Sequence, residues 1–352
     1  MEYTLKCTAC GAEYKSSFGS QICGKCSSIL EVVYLSKPKI PRKTSSFWDF
    51  YQAFPKGNYR HYELGMTRLM QDKAERSLFY KLEILNPTHS FKDRGSVIEV
   101  AKAMEYGFDE IVCASTGNMA YSIAYYAKLY GIKSKIFVSR DANADKIDEI
   151  RSTHDADITR GEWDFTGAQK KASDYAAKNG AFLAGDYCYR KEGQKSIAYE
   201  IMCEMPDIKN IIVPVGNATL LSATLKALEE VKNSWNLSEV PRVIAVQASK
   251  CSPLVKAFGS HKKVAYVPPM TAADAIAVGY PTFGDQAIEA LRRNKGNAVS
   301  VSEAKMAAAQ RLISEEYGLT VEMASAATLA AYKDIKKKLN GKTVLVISGG
   351  NV

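Results

Sequence analysis

Residues 86–95 read N-P-T-H-S-F-K-D-R-G and stand between an apolar run, SLFYKLEIL, and an amphipathic run, SVIEVAKAMEYG. The first run predicts a strand and the second a helix, so the quoted stretch is expected to be a strand-to-helix turn. Lys92 follows Phe91 there, among hydroxyl, amide and charged groups. A lone lysine is usually a solvated charge. A lysine desolvated in such a turn, however, can react with an aldehyde as a neutral amine.

The alternation of apolar runs and helical patterns continues along the chain. The runs EIVCAS, SKIFVS, IIVPVG, VIAVQA and TVLVIS predict strands, and MAYSIAYYAKLYG, ADKIDEIRSTH, LLSATLKALEEV and AATLAAYKDIKKKL predict helices. Strands that alternate with helices of this length favour parallel sheets in an α/β protein. Ligands of such sheets bind beyond the carboxyl ends of the strands.

Three polar turns follow predicted strands: STGN at 115–118, VGNAT at 215–219 and SGGN at 348–351. Taken singly, each is more often an ordinary turn, because glycine and asparagine suit turn backbones. Their shared position after apolar strands, together with the lysine turn, predicts parts of one binding site.

Cysteines fall into two groups. Those at short spacing are Cys7, Cys10, Cys23 and Cys26, two C-x2-C pairs separated by 12 residues. This spacing predicts a ribbon with a structural zinc ion, and the alternatives are a metal-free ribbon or a disulfide pair. Four thiolates leave no open coordination position, which argues against catalytic zinc. The scattered cysteines are typical of reduced core thiols, and they are Cys113, Cys188, Cys203 and Cys251.

The composition indicates a globular chain. Its 352 residues, 46% apolar and 24% charged, suffice for two compact domains. The net charge is +9, but 47 basic and 38 acidic residues are interleaved, which argues against a nucleic-acid partner. No apolar run approaches the roughly 20 residues that cross a bilayer, and the start MEYTLKCTACG lacks a secretory signal core. We therefore expect a cytoplasmic protein without a membrane partner.

The lysine turn resembles the motif N-P-T-G-S-F-K-D-R-G of the threonine synthase group, among the pyridoxal-phosphate enzymes of fold type II, the tryptophan-synthase β type. It differs at one position, His89. STGN resembles the group's asparagine loop, and YRKEGQKS at 189–196, VQASKCSPLVKAF and VEMASAATLAA resemble further segments. Amino-terminal cysteine ribbons also occur in the group, so the resemblance covers most of the chain.

The resemblance implies a fold and an assembly. The fold is α/β with two parallel-sheet domains of fold type II and a small amino-terminal cysteine ribbon. Mapped onto this sequence, residues 1–35 form the zinc-ribbon-like segment, and residues 36–96 and 201–352 form the large cofactor-binding domain. Residues 97–200 form the small mobile domain. Homodimers are usual in the group.

The resemblance also implies roles in binding pyridoxal 5'-phosphate. Lys92 bonds the cofactor aldehyde and then moves protons as general base and acid. Asn118 hydrogen-bonds the ring oxygen, and Ser348 faces the pyridine nitrogen, where a neutral hydroxyl favours elimination and replacement. The backbone that cradles the phosphate comprises Val215, Gly216, Asn217, Ala218 and Thr219.

For the substrate, the resemblance assigns Ser115 and Thr116 to the carboxylate of a small amino acid and Arg190 to a phosphate. The implied activity is that of a carbon–oxygen lyase which converts O-phospho-L-homoserine and water to L-threonine and phosphate. His89 is a candidate substrate-binding residue and proton carrier near Lys92, or else it fills space and hydrogen-bonds the turn.

The sequence departs from the group around the expected leaving-group pocket. Before Arg190 the group commonly reads N-S-x-N-P-x-R, whereas residues 184–190 read A-G-D-Y-C-Y-R. Asp186 in that run either repels a phosphate or meets an ammonium or hydroxyl group. The phosphate loop, commonly G-N-x-G-N, reads G-N-A-T-L, and S-G-G-N is more like the serine and threonine dehydratases.

Two alternative functions follow from these departures. One keeps the cofactor and predicts β-elimination or β-replacement on serine, threonine, O-phosphoserine or a related amino acid. The other is a ribbon-containing binding module on an inactive scaffold. Lys92, Asn118 and Ser348 argue against the module, since binding alone needs no lysine that bonds an aldehyde.

Overall fold

The computed structural model describes residues 1–115, 117–140, 142 and 144–350, without the side chains of residues 145, 146, 153 and 165. The chain divides into two compact units. Unit 1 comprises Met1–Pro38, Phe50–Glu63 and Lys92–Gly193, and unit 2 comprises Lys39–Asp49, Leu64–Phe91 and Gln194–Val352. One boundary between the units falls between Phe91 and Lys92, inside the lysine turn.

The strands are, in chain order, β1 (Tyr3–Cys7), β2 (Glu13–Lys15), β3 (Leu30–Tyr34), β4 (Leu69–Gln71), β5 (Leu78–Leu82), β6 (Glu110–Ala114), β7 (Lys133–Val138), β8 (Asp157–Arg160), β9 (Phe182–Leu183), β10 (Asn210–Pro214), β11 (Arg242–Ala248), β12 (Asn297–Val301) and β13 (Thr343–Ile347).

The helices are α1 (Lys92–Glu105), α2 (Asn118–Tyr130), α3 (Ala144–His154), α4 (Phe165–Asn179), α5 (Cys188–Gln194), α6 (Ser196–Glu204), α7 (Thr219–Trp235), α8 (Pro253–Ser260), α9 (Gly284–Arg293), α10 (Glu303–Tyr317) and α11 (Met323–Ile335). Short 3-10 helices lie at Phe47–Ala53, Glu83–Leu85, Asp274–Ile276 and Lys336–Lys338.

Unit 1 contains two sheets. The cysteine ribbon is built on an antiparallel sheet with the order β2-β1-β3. The second sheet is parallel and has the order β8-β7-β6-β9. Its strands β6 and β7 pack against Ala168, Ala172 and Ala176 of α4. These alanines recur every four residues on one helix face, which lets α4 lie close to the sheet.

Unit 2 contains a six-stranded sheet with the order β12-β11-β10-β13-β5-β4. Its pairs are parallel except β4 with β5. Strands β5, β10 and β13 are buried along their whole length, as is typical of strands covered on both faces. On one face, Ala327 and Ala331 of α11 share a buried cluster with Leu345 and Ile347 of β13.

The predicted α/β architecture with parallel sheets is confirmed. One boundary differs: the sequence predicts a helix from Ser96 onward, whereas α1 begins at Lys92. Asp93 lies in the first turn of α1, where a carboxylate interacts favourably with the positive end of the helix dipole. Within the described part of the chain, the helices are all too short or too polar to cross a membrane.

Candidate active site

Three polar turns of unit 2 lie at one edge of its sheet. Strands β10, β13 and β5 are parallel neighbours, so their carboxyl ends point the same way. Residues 215–219 follow β10, residues 348–350 follow β13, and residues 86–91 follow β5 through a 3-10 turn. The structure thus brings together the loop after β10, the carboxyl-terminal turn and the first part of the lysine turn.

Hydrogen bonds fasten the lysine turn to the carboxyl-terminal turn. The N–H of Phe91 donates to the carbonyl of Ser348 at 2.9 Å, and Ser90 forms an antiparallel bridge with Gly349. The N–H of Gly350 donates to the carbonyl of His89 at 3.0 Å. The backbone that leads into Lys92 is therefore held on its unit 2 side.

Ser348 has a hydroxyl neighbour that the sequence analysis missed. Its Oγ lies 3.1 Å from Oγ of Ser325 in α11. Ser325 Oγ donates to the carbonyl of Gly349 at 2.7 Å and accepts from the Gly349 N–H at 2.8 Å. Because a hydroxyl has one proton to donate, Ser348 is the donor in the Ser348–Ser325 contact. Ser348 therefore carries a neutral hydroxyl whose proton can be redirected to an acceptor.

The loop after β10 is shaped by close backbone packing. A Cβ on Gly216 would stand 2.9 Å from the carbonyl oxygen of Ala275, so only glycine fits there without a shift. Asn217 accepts from the Phe283 N–H through its carbonyl at 3.1 Å and from the Thr282 hydroxyl through Oδ1 at 3.3 Å. The segment between the 3-10 turn at residues 274–276 and α9 thus braces this loop.

The same loop turns into the start of α7. Ala218 has φ +63°, in the left-handed region, and no side chain caps the helix that begins at Thr219. One turn later the Oγ of Ser222 is buried and has no hydrogen-bond partner. A tight glycine turn at a helix start with an unpaired buried hydroxyl fits a bound phosphate, because anions are stabilised at helix N-termini.

His89 takes a glycine-like backbone. Its φ is +54°, and its exposed imidazole places Nδ1 3.2 Å from the carbonyl oxygen of Ile84. Glycine adopts this conformation without steric cost, whereas histidine adopts it with some strain. This geometry supports the interpretation that His89 preserves the turn and hydrogen-bonds it; its role in substrate binding stays a prediction.

Lys92 is the first residue of α1, in unit 1. The next residue, Asp93, is fully buried and accepts from the hydroxyl of Ser122 in α2 at 2.6 Å. This bond ties the lysine helix to the helix that follows the STGN turn. Of that turn, Ser115 and Asn118 are half-buried at the end of β6 and the start of α2, and Thr116 lies outside the described residues.

Two glycines allow α1 and α5 to pack at very short distance. A Cβ on Gly95 would stand 2.5 Å from Cγ of Arg190, and one on Gly193 would stand 1.8 Å from the carbonyl oxygen of Arg94. Neither clash can be relieved without moving backbone. The K-D-R-G and Y-R-K-E-G segments of the sequence are therefore parts of one packed structure.

Arg190, predicted to contact a substrate phosphate, lies in this packing with 0% of its surface exposed. Its Nη2 is 2.5 Å from Oε2 of Glu99. Nε donates to the Gly185 carbonyl at 2.9 Å, and Nη1 lies 3.2 Å from Ser96 Oγ and 3.3 Å from the Lys92 carbonyl. The guanidinium is used inside unit 1, which favours a bracing role over contact with a substrate.

Glu99 is the acidic centre of this network. Burial raises the pKa of its carboxyl, while the charge of Arg190 and hydrogen bonds from Gln21 and the Gly185 N–H oppose that rise. Gln21 comes from the cysteine ribbon, and the sequence analysis missed it because a lone glutamine carries no motif. Removing any one of these partners would leave a buried polar group unpaired.

Asp186 follows the residue that this network holds. Its Oδ1 lies 3.6 Å from Nζ of Lys92, and the side chains are 12% and 19% exposed. The departure from the group pattern thus places a carboxylate beside the reactive lysine. At this position a carboxylate attracts cations and hydrogen-bond donors and repels phosphate.

The ribbon cysteines converge. All four sulfur atoms lie within 4.8 Å of one another, and all are free thiols. The Cys10 N–H donates to Cys7 Sγ and the Lys25 N–H to Cys23 Sγ, each at 3.4 Å. A hydrogen bond from the Tyr14 phenol, 3.1 Å away, lowers the pKa of the Cys23 thiol to about 6. The arrangement fits a tetrahedral ion with sulfur ligands.

Comparison with known proteins decides the family. The sequence profile described as "Pyridoxal-phosphate dependent enzyme" matches residues 64–350. The chain belongs to the pyridoxal-phosphate-dependent enzymes. Among curated relatives of this pyridoxal-phosphate-dependent chain, threonine synthase of Methanosarcina acetivorans is 31% identical and covers 99% of the chain and 92% of that protein. Threonine synthase of Methanocaldococcus jannaschii is 29% identical, covering 94% and 87%.

Solved structures of pyridoxal-phosphate-dependent enzymes share the fold. Maize serine racemase superposes with a TM-score of 0.73 at 23% identity, covering 82% of this chain and 89% of that one. The threonine deaminase from T.th. gives 0.71 at 24% identity, covering 81% and 92%. The predicted fold type II class, the enzyme class and the resemblance to threonine synthases are confirmed.

Proposed function

We propose that this chain is a threonine synthase, which converts O-phospho-L-homoserine and water to L-threonine and phosphate. The observation that carries the proposal is the similarity to threonine synthases over almost the whole chain, with Lys92 in the matching motif. The product and substrate are taken from that similarity, and the residues below are assigned by position and by the geometry described above.

Bound pyridoxal phosphate supplies an electron sink that makes the α-proton of an amino acid acidic. Lys92 bonds the cofactor aldehyde through Nζ and, once released by the substrate amine, moves protons at the substrate carbons. Placement of Nζ at the start of α1 gives it a fixed origin, since Asp93 anchors that turn to Ser122.

The other cofactor contacts are assigned to strand-end loops. The backbone of residues 215–219 holds the phosphate, supported by the glycine turn at Gly216 and the unpaired hydroxyl of Ser222. Ser348 donates its proton to the ring nitrogen, which leaves that nitrogen uncharged. Asn118, at the start of α2, hydrogen-bonds the ring oxygen.

The substrate carboxylate is assigned to the N-terminal end of α2, with Ser115 and Thr116. The half-buried Ser115 hydroxyl lies 3.4 Å from the Gly117 N–H, and no side chain caps α2. Helix N-termini stabilise carboxylates through their N–H groups and dipole. Arg190 is assigned to bracing the lysine helix, which leaves the cation for the leaving phosphate unassigned among the described residues.

For the ribbon we propose a structural zinc ion held by Cys7, Cys10, Cys23 and Cys26. The converging sulfurs and the backbone N–H···S bonds support it. So short a segment buries little apolar surface, and a metal supplies stability that it lacks. Residues 97–200 are proposed to move as the small domain, and the enzyme is proposed to be a cytoplasmic homodimer.

A second candidate function is β-elimination on serine or threonine, and Asp186 is the observation that favours it. Its carboxylate, 3.6 Å from Lys92 Nζ, disfavours a nearby substrate phosphate and accepts a hydrogen bond from a hydroxyl. Under this alternative the products are a 2-oxoacid and ammonia.

The decisive experiment incubates the purified protein and pyridoxal phosphate with each amino acid in turn. O-phosphohomoserine is expected to yield inorganic phosphate and threonine in equal amounts. Release of 2-oxoacid and ammonia from serine or threonine, with no threonine from O-phosphohomoserine, would replace the proposal with the second candidate. Lys92→Ala, which removes the amine, is the control that must abolish either reaction.

A further inference from the structure

Gln21 extends from the cysteine ribbon into the interior of unit 1. It is 2% exposed and lies two residues before Cys23, and its carbonyl accepts from the Leu30 N–H of β3 at 3.0 Å. The position of its backbone is therefore set by the ribbon sheet and the second C-x2-C pair. Its side chain points away from the cysteines.

The side-chain amide of Gln21 is fully hydrogen-bonded. Nε2 donates to Glu99 Oε1 at 3.1 Å and to the Leu183 carbonyl at 3.2 Å. Oε1 accepts from the Tyr189 N–H at 3.0 Å and lies 3.7 Å from the Sγ of Cys188. A buried amide with this many partners is costly to displace and fixes the groups around it.

The groups that Gln21 touches hold Lys92 from two sides. Glu99 pairs with Arg190, whose Nη1 donates to the Lys92 carbonyl at 3.3 Å. Glu99 also accepts from the Gly185 N–H at 3.2 Å, and the Gly185 carbonyl accepts from Arg190. Gly185 thereby fixes the backbone before Asp186.

Asp186 completes the path from the ribbon to the lysine. Its carboxylate lies 3.6 Å from Lys92 Nζ, so the network sets both the backbone of Lys92 and the ionic partner of its side chain. Hydrogen-bonded groups behind a reactive residue tune its position, since small displacements lower the rate strongly.

We propose that Gln21 is a positioning residue through which the cysteine ribbon holds Lys92 and Asp186 in place. The inference rests on the proposed role of Lys92 as the residue that bonds the cofactor. It assigns the ribbon a part in the active site, which the four cysteines alone do not suggest. The ribbon acts through one side chain, so removing that side chain uncouples the ribbon from the lysine.

The test compares holoprotein variants by cofactor binding and by the visible circular dichroism of the bound cofactor, which reports how the lysine-bound ring is held. Gln21→Met keeps the side-chain length but leaves Glu99 and the Tyr189 N–H without their partner. It is expected to raise the cofactor dissociation constant about tenfold and to change the visible dichroism. Gln52→Met, at an exposed glutamine of unit 1, is the matched control and should change neither.

A double-mutant cycle tests the link to the ribbon. Cys26→Ser loosens the ribbon and is expected to weaken cofactor binding in the wild-type background but to add nothing in the Gln21→Met background. Equal effects of Cys26→Ser in both backgrounds, or none in either, would overturn the proposal. Thermal unfolding verifies that each variant is folded, and Gln21→Asn, one methylene shorter, replaces Gln21→Met if the latter does not fold.

The cofactor measurements use no substrate, which separates this inference from the proposed function. A wild-type protein that binds the cofactor but makes no threonine would reject the threonine synthase proposal and leave the role of Gln21 standing. Unchanged dichroism, binding and kcat in folded Gln21→Met would reject the role of Gln21 alone. A wild-type protein that binds no cofactor would reject both.

Discussion

Asp186 Oδ1 lies 3.6 Å from Nζ of Lys92, at a position where the threonine synthase group commonly carries no acidic residue. Both side chains are mostly buried, so the pair is less screened than one at the surface. The carboxylate therefore acts on the lysine amine itself, and its influence on a substrate phosphate comes second.

Asp186→Asn is predicted to lower kcat by between about tenfold and about 10²-fold, because Nζ loses its ionic partner and is held less firmly. KM should change less than kcat. Steady-state kinetics with the substrate identified above check this prediction. Asp174→Asn, at an exposed aspartate of α4, should leave kcat unchanged, and a faster Asp186→Asn enzyme would show that the carboxylate mainly repels substrate.

His89→Gly is predicted to stabilise the protein by about 0.5–1 kcal/mol, since glycine accepts φ +54° without steric cost. Activity should be retained, because a general acid or base would contribute about 10²-fold or more and the imidazole faces solvent. Denaturant unfolding and kinetics check both statements.

His61→Gly is the matched control for that prediction. His61 is also exposed, but its φ lies outside the left-handed region, so glycine there should destabilise the chain. Equal effects of the two substitutions on the free energy of unfolding would contradict the assigned strain at His89.

Gly216→Ala is predicted to weaken binding of pyridoxal phosphate about tenfold, because the new Cβ would meet the Ala275 carbonyl at 2.9 Å and displace the loop. Titration of the visible absorption of the bound cofactor measures the change. Gly259→Ala, in α8 with open space around its Cβ, should bind the cofactor normally. Normal binding by Gly216→Ala would remove this loop from the proposed phosphate site.

Metal retention by the ribbon is predicted to fall as the pH drops below about 6. The Tyr14 hydrogen bond lowers the pKa of the Cys23 thiol to about 6, so the thiolate ligand persists above that pH and is protonated below it. Tyr14→Phe removes this bond, which should raise the thiol pKa toward its ordinary value and move metal release to higher pH.

A zinc indicator dye in a pH series measures that release. Tyr51→Phe, at an exposed tyrosine of unit 1, should release metal at the wild-type pH. Release of metal at the same pH from Tyr14→Phe and the wild type would contradict the assigned contact with Cys23.

Much of the fold could be predicted because it depends on local pattern. The apolar runs before residues 115, 215 and 348 are strands since such runs bury both faces, and the glycine-rich turns follow at their carboxyl ends. The four cysteines converge as their spacing predicts. Lys92 could be singled out because its whole neighbourhood is written in ten consecutive residues.

The tertiary structure alone decided what surrounds that lysine. Gln21, Glu99 and Asp186 are far apart in sequence, and only packing brings a ribbon glutamine to a buried carboxylate that holds the residue before Asp186. Arg190 shows the reason most clearly: its residue type suggested a phosphate ligand, whereas burial beside Glu99 makes it a brace. Sequence pattern specifies which groups are present, but a side chain's partner depends on which distant segments the core brings into contact.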